Sequence, residues 1–133
     1  MKKLIAFFGC GLVIAGRVFA DVQSPLVTTL PASGMLNDTA TLNGAVNPMG
    51  TNTTAWFEWD SSFAYGNSTS PQGVGSGTNE VAVNAALTGL TPGVTYHYRC
   101  VASNSLGVVR GVDQVFWLPA LNLNIPNPLT NEC

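Results

Sequence analysis

The sequence predicts an all-β sandwich, and three observations lead to this fold class. Apolar and polar residues alternate with the period of two that strands have, most clearly in residues 81–87 (VAVNAAL). After residue 20, no window shows the sustained apolar stripe of an amphipathic helix. Charged residues make up only 9% of the chain, and its abundant Thr, Asn, Ser and Gly are typical of extracellular β-proteins.

Residues 1–20 have the composition of a cleaved secretory signal peptide. Two lysines precede an apolar run over residues 4–15, and the segment ends in Val-Phe-Ala, which suits a signal peptidase. The run is shorter than the roughly 20 residues that cross a bilayer, and Arg17 prevents its extension. We therefore expect a chain that does not span the membrane, begins at Asp21 after cleavage, and is secreted or held at the cell surface.

The rest of the chain is long enough for one domain and has few charges. Removing residues 1–20 leaves Arg99 and Arg110 as the only cations against seven acidic residues, a net charge of −5. Nucleic acids and anionic membranes attract clustered Lys and Arg, which this composition lacks. We therefore expect no nucleic-acid partner and no binding to an anionic membrane.

Seven strands are predicted in order along this domain. In the third strand, Ala55, Phe57 and Trp59 share one face and are assigned to the core, whereas Trp56 points outward. Residues 118–133 contain three prolines and repeated Asn, so they are predicted to be a tail or linker. The predicted strands lie at residues 27–30, 40–46, 55–60, 65–69, 81–87, 96–102 and 108–117.

The most diagnostic segment is residues 87–107 (LTGLTPGVTYHYRCVASNSLG), in which a Pro-Gly turn leads into a strand with alternating tyrosines. Leu90, Pro92, Gly93 and Tyr96 have the spacing of a tyrosine corner. In this motif a tyrosine near the start of a sandwich strand hydrogen-bonds back to the preceding crossover, which ties the two sheets together.

Taken with this corner, three further segments resemble bacterial fibronectin type III domains in content and order. They are ATLNGAVNP at residues 40–48, FEW at residues 57–59 and ASNSLG at residues 102–107. The resemblance implies a seven-stranded antiparallel sandwich of the immunoglobulin-like type over residues 21–117, preceded by the signal peptide and followed by the tail. It also implies a role in adhesion, protein binding or structural spacing, and it does not imply catalysis.

The residues do not indicate catalysis or a metal site. His97 is the single histidine, and no GxSxG motif supplies a nucleophile for it. One histidine and two well-separated cysteines in the mature chain cannot provide the ligands that zinc requires. Glu58 and Asp60 lie on one strand face, but a glycosidase pair would need a deep groove around them. We predict no enzyme activity, no metal and no cofactor.

The candidate binding patch is the outer face of the predicted third, sixth and last strands. These strands are neighbours in the family's topology, so their outward aromatic and apolar side chains come together, as they often do at contacts with proteins or sugars. In two alternatives, Arg99 paired with Glu58 shields Trp56, and Trp117 lies beneath the tail. The patch consists of Trp56, His97, Arg99, Val101 and Trp117, with Val115 beside them.

The cysteines and the tail leave the state of association open. Cys100 shares the inward parity of Tyr98 and is predicted to be a small buried hydrophobe, although it can also form a disulfide with Cys133 in an oxidising compartment. In the first case Cys133 is free to pair with another chain. We expect a protein or polysaccharide partner at the cell surface. The alternatives are a carbohydrate-binding accessory domain, and a subunit of a surface fibre or layer that self-associates through the tail, Cys133 or an open sheet edge.

Overall fold

The computed structural model describes residues 13–14, 17–18 and 22–120, and within these ranges all regular structure is β-strand. The predicted signal peptide therefore lies mostly outside the described residues. Its described part is an antiparallel pair of two-residue strands, β1 (Val13–Ile14) and β2 (Arg17–Val18). No helix in the described ranges is long and apolar enough to cross a membrane.

The smaller sheet has three antiparallel strands in the order β3 (Leu26–Leu36), β4 (Thr39–Asn47) and β8 (Val81–Leu87). β4 pairs with β8 over seven residues in a continuous register. β3 is longer than the predicted strand at residues 27–30, because it continues past Pro31 through two register shifts. Proline donates no ladder hydrogen bond, and such shifts bend an edge strand.

The larger sheet is built on β5 (Thr53–Asp60) and β9 (Thr95–Asn104), which pair along seven residues. Two short strands follow one another along the free edge of each. The edge of β5 carries β6 (Asn67–Ser68) and β7 (Gln72–Gly75), and the edge of β9 carries β10 (Gly107–Arg110) and β11 (Gln114–Trp117). These two pairs fill one strand position each, so the larger sheet has four positions and the smaller has three. The predicted all-β fold of two antiparallel sheets with seven strand positions is thereby confirmed.

The fourth and last strands differ from their predictions. The fourth, expected at residues 65–69, is divided into β6 and β7, and the last, expected at residues 108–117, is interrupted after Arg110. The interruption has a steric basis at Gly111. Its N–H donates to the carbonyl of Cys100 at 2.8 Å, and a Cβ there would lie 2.4 Å from Oγ1 of Thr29.

The core lies between the facing sides of the two sheets. Ala55 and Phe57 are fully buried and Trp59 packs against the core, as the strand parity predicts. Phe116 is also buried, and its ring stacks on that of Tyr96 with 5.3 Å between centroids. Other large side chains of this buried cluster, from both sheets and from the segments next to them, are Leu42, Val46, Val74, Val83, Leu87, Leu90, Tyr98 and Leu118.

Polar contacts also join the two sheets. The hydroxyl of Tyr98, on β9, donates to the carbonyl of Leu30, on β3. The N–H of Cys100 donates to Oγ1 of Thr29 at 3.0 Å. A Cβ on Gly44 would lie 2.8 Å from Sγ of Cys100, so glycine allows the strands to approach closely here. Cys100 itself is fully buried, and Cys133 lies outside the described residues.

The turn before β9 has the hydrogen bond of a tyrosine corner. The hydroxyl of Tyr96 accepts from the N–H of Thr91 at 2.9 Å. Gly93, with φ at 81°, follows Pro92 in a turn closed by a hydrogen bond of 3.4 Å from Val94 to Thr91, and this is the arrangement of a type II turn. Leu90 before the turn is buried, and its N–H donates to the carbonyl of Asp38.

The ordered contacts extend past the predicted domain boundary at Trp117. Leu118, which the sequence places at the start of the tail, is 0% exposed. Its carbonyl accepts from Gly93 at 2.8 Å, and its N–H donates to Val94 at 3.3 Å. Leu118 therefore packs as part of the sandwich, and the tail from residue 121 onward lies outside the described residues.

Candidate functional site

The candidate site lies on the outer face of the larger sheet, where the strand register fixes which side chains are neighbours. Directly opposed residues on paired antiparallel strands point to the same face. Among residues 22–120, all charged side chains except Asp38 and Glu80 lie on or against this face. Its two principal rows run Trp56–Val101–Arg110 and Asp60–His97–Val115.

An ion-pair network occupies the middle of the face. Oε2 of Glu58 lies 2.6 Å from Nη2 and 2.8 Å from Nε of Arg99, which confirms the predicted cross-strand pair. The same oxygen lies 3.4 Å from Nε of Arg110. One carboxylate therefore holds two guanidinium groups, and the network keeps a net positive charge.

Val101 is not part of an exposed patch, contrary to the prediction. It is 0% exposed, because its neighbours across the strands are the large side chains of Trp56 and Arg110. Trp56 is itself only partly exposed. This end of the face is therefore packed by its own side chains and offers little aromatic surface.

A second network joins two loops to the sheet. Asp113, between β10 and β11, accepts from the hydroxyl of Tyr65 at 2.5 Å through Oδ1, and its Oδ2 lies 2.9 Å from Nδ1 of His97. The guanidinium of Arg99 lies 4.0 Å from the centre of the Tyr65 ring. Burial and the hydrogen bond to Asp113 raise the pKa of Tyr65 to about 12, so its hydroxyl remains a donor at neutral pH.

Tyr65 has a backbone conformation that is rare for an aromatic residue. Its φ is 49°, in the left-handed region, where a residue with a side chain costs about 1–3 kcal/mol. The contacts to Asp113 and Arg99 offset this cost and fix the ring on the sheet. Strain of this kind often occurs at binding sites, where it is part of the arrangement that meets a ligand.

The loop between β5 and β6 is closed at its base by Asp60. The Asp60 carboxylate accepts from the N–H groups of Ser61 at 2.7 Å and Gly66 at 3.2 Å. These two hydrogen bonds, led by that of Gly66, lower the pKa of Asp60. The closed loop places the Phe63 ring 4.1 Å from the imidazole of His97, while leaving the Phe63 side chain 70% exposed.

Exposed apolar side chains gather around His97 at this end of the face. Val115, directly across from His97, is 54% exposed, and Trp117, two residues further along β11, is 53% exposed. Phe63 thus contacts the imidazole, Val115 lies across from His97, and Trp117 follows Val115 on the same outer face. We call the four residues Phe63, His97, Val115 and Trp117 the His97 patch.

The structure therefore divides the set of residues predicted as one patch. Trp117 pairs with Thr95, whereas Trp56 pairs with Val101, six residues further along β9. Six residues of strand span about 20 Å, so the two tryptophans do not form one platform. His97 and Trp117 lie in the His97 patch, Arg99 lies in the polar network beside it, and Trp56 and Val101 lie at the opposite end.

Sequence reasoning missed Phe63, Tyr65 and Asp113. Tyr65 was assigned to the predicted fourth strand, and Asp113 lies in a break of the last strand that alternation does not reveal. The weak signal available was Phe63, a large apolar residue among Gly, Ser and Asn in a long connection. In residues 22–120, no three His, Cys, Asp or Glu side chains lie where they could hold a metal ion.

Comparisons with known proteins show a shared fold. No family model matches the chain, and no curated protein sequence matches it. The sensor domain of the anti-sigma factor RsgI4 from Pseudobacteroides cellulosolvens is similar in structure, with a TM-score of 0.60 and 17% identity over 76% of this chain and 100% of that domain. A solution structure of the same sensor domain gives a TM-score of 0.54 and 16% identity, over 83% of this chain and 91% of that one.

A fibronectin type III domain from the human KIAA0970 protein also aligns. Its TM-score is 0.43 and its identity is 16%, over 80% of this chain and 82% of that domain. The resemblance to fibronectin type III domains is in the sequence segments at residues 40–48, 57–59 and 87–107. At these identities, the similarity to the RsgI4 sensor domains shows the fold alone.

Proposed function

We propose that this chain is a secreted or cell-surface module of the fibronectin type III-like kind, which binds a protein or polysaccharide through the His97 patch and has no catalytic activity. The single observation that supports this most is the exposure of Phe63, Val115 and Trp117 around one imidazole. Exposed apolar side chains with a polar rim are typical of contact sites.

Hydrogen bonds and strand pairing around the His97 patch hold its side chains in place in the free chain. Tyr65, Asp113 and Asp60 hold the loop that carries Phe63, and β11 holds Val115 and Trp117. Binding through groups that are already ordered loses little conformational entropy, which favours affinity. The RsgI4 sensor domains share this fold, and their sensor role is compatible with a binding role for this chain.

The proposal is tested by screening the mature chain, Asp21 to Cys133, against arrays of cell-surface proteins and glycans. For any partner found, Phe63→Ala and Trp117→Ala should each weaken binding at least about tenfold, which corresponds to about 1.4 kcal/mol. Val108→Ala is the matched control, because Val108 is an exposed apolar residue at the other end of the same sheet, 48% exposed. Unchanged binding in both patch variants would contradict the proposal.

The alternative is a carbohydrate-binding accessory domain, and the exposed Trp117 ring favours it. A flat aromatic ring stacks on a sugar ring, and the edge of the patch offers charged hydrogen-bonding groups. In this case Trp117→Phe should retain more binding to insoluble polysaccharide than Trp117→Ala does. Equal losses in the two variants, or binding to proteins alone, would exclude the carbohydrate alternative.

A further inference from the structure

β8 is an edge strand that lacks the usual protection against pairing. It is the last strand of the smaller sheet, and in the described part of the chain no strand pairs with its second edge. Its sequence, VAVNAAL, contains no proline, glycine or charge, and its outward side chains are the small, exposed Ala82, Asn84 and Ala86. Proteins normally block such an edge with charges, proline or bulges.

The other edges of the described sandwich do carry these protections. β3 contains Pro31 and two register shifts. The β6–β7 edge is interrupted by a segment with Pro71, and the β10–β11 edge by residues 111–113. Among residues 22–120, β8 is thus the edge strand without a proline, a break or a register shift.

One contact shows which way the peptide groups of β8 point. Nε2 of Gln72, on β7 of the other sheet, donates to the carbonyl of Asn84 at 2.7 Å. Peptide groups along an edge strand point alternately toward and away from the paired neighbour. Asn84 therefore belongs to the set that faces away from β4, together with Ala82 and Ala86. A carbonyl oxygen accepts two hydrogen bonds, so Gln72 does not exhaust this acceptor.

The strand is compatible with a second copy of itself. In an antiparallel pair centred on Asn84, Asn84 faces Asn84 of the second copy, and Ala82 faces Ala86 of the second copy. This register keeps Val83 and Leu87 on the core side in both chains, as a stable register must. Because β8 carries no charge, two copies meet without like-charge repulsion.

We propose that β8 is the contact between two copies of this chain, which pair antiparallel about Asn84 and join their three-stranded sheets into one six-stranded sheet. The contact is isologous, as in most symmetric dimers. It lies on the opposite sheet from the His97 patch and stands whether or not that patch binds a ligand. If the proposed function also holds, the His97 patches of the two copies face the same side of the dimer, so the dimer is bivalent.

The test is sedimentation of the mature chain with reductant present, over rising concentration. We expect a concentration-dependent dimer in the wild type. Asn84→Lys and Asn84→Glu should each weaken it at least about tenfold, because each places like charges opposite one another. An equimolar mixture of these two variants should restore association, since it places opposite charges there.

Thr41→Lys is the matched control. Thr41 lies on the outer face of β4, directly across from Ala86, so the substitution adds the same charge to the same face one strand away from the edge. Association should survive in this variant. Equal thermal unfolding midpoints for all variants, measured at a concentration where the wild type is monomeric, would show that the fold is intact.

Four results would overturn the proposal. They are a wild type that stays monomeric at millimolar concentration, a mixture of the Asn84 variants that associates no better than either alone, a dimer that Thr41→Lys also abolishes, and a dimer that needs residues 121–133 but not Asn84. Dependence on residues 121–133 would place the contact in the tail, and loss in Thr41→Lys would indicate stacking of the sheet faces.

Discussion

At the scale of single residues, Tyr96 shows how one hydroxyl connects a crossover to a strand. Its oxygen accepts from Thr91, five residues earlier, and its ring packs between Trp59 and Phe116 in the core. Tyr96→Phe keeps the ring and removes the acceptor, so the Thr91 N–H loses its partner. We expect a loss of about 0.5–1.5 kcal/mol in the free energy of unfolding, measured with urea. An unchanged midpoint would show that this hydrogen bond does not stabilise the turn.

The contact between Tyr65 and Asp113 is the residue-scale basis of the ordered loop. If it holds Tyr65 in its left-handed conformation, Tyr65→Phe and Asp113→Asn should not be additive. A double-mutant cycle on the free energy of unfolding should give a coupling of about 0.5–1.5 kcal/mol, a modest value because the pair is partly exposed. Asp38→Asn, at a turn away from the sheet face, is the control and should show no coupling with Tyr65→Phe. Additive effects of Tyr65→Phe and Asp113→Asn would contradict the account.

At the scale of elements, the strands that form the sandwich interior were predictable from alternation alone. Alternate side chains are buried against the opposite sheet in four strands, β4, β5, β8 and β9. Apolar residues therefore recur at every second position in their sequences. The first strand was predicted too short. Proline is typical of the end of a regular strand, but β3 continues past Pro31 through two register shifts.

The elements around the candidate site were not predictable, for a physical reason. The position of Tyr65 depends on Asp113, 48 residues away, and the break in the last strand depends on the approach of Thr29 from the other sheet. Local propensity carries no information about such contacts. His97 and Arg99 were found because the parity of their strand places them outward, and Trp117 was found because the family's topology places the last strand beside them. Val101 has the same outward parity but is covered by its neighbours.

The break between β10 and β11 should be sensitive to the size of residue 111. An alanine Cβ there would meet Oγ1 of Thr29 at 2.4 Å, and backbone atoms of Thr29 and Cys100 at 3.2 and 3.3 Å. Backbone cannot move aside easily, so Gly111→Ala should destabilise the fold by about 1–3 kcal/mol. Gly73→Ala is the matched control in β7, since nothing lies within 4 Å of its Cβ position. Equal urea midpoints in the two variants would contradict this steric explanation.

At the scale of the whole molecule, burial of titratable groups in the core predicts how stability depends on pH. Burial raises the pKa of the Cys100 thiol from 9.0 to about 11 and that of the Tyr98 hydroxyl from 10.0 to about 12. Both groups are neutral when protonated, so the folded chain holds these protons more tightly than the unfolded chain does. Their stabilising effect is complete below the unfolded pKa values and is lost as the pH rises through the folded ones.

We therefore expect the urea midpoint to fall as the pH rises from about 9, through the ordinary pKa of the thiol, to about 12, the folded pKa of Tyr98. Cys100→Ala removes one of the two groups, so the slope should become smaller in that variant, whatever its absolute stability. A midpoint that does not change over this range would show that neither group is shielded from water in the folded chain.

The two outer faces of the molecule differ in charge and therefore in the role that each can have. In residues 22–120, five of the seven charged side chains lie on or against the larger sheet, and the outer side of the smaller sheet carries Thr, Asn, Ser, Ala and Leu without a charge. The proposed binding patch lies on the charged face, and the proposed contact with a second copy lies at the edge of the uncharged sheet. If both proposals hold, recognition and assembly use opposite sheets of one domain.

The proposed site of recognition is the His97 patch. The most direct measurement is the mapping of backbone amide shifts in the isotope-labelled mature chain as a partner from the array is titrated in. The account predicts that the largest shifts lie at Phe63, His97, Val115 and Trp117, with little change at Trp56 and Val108. Largest shifts on β3, β4 or β8, with the patch unchanged, would contradict it.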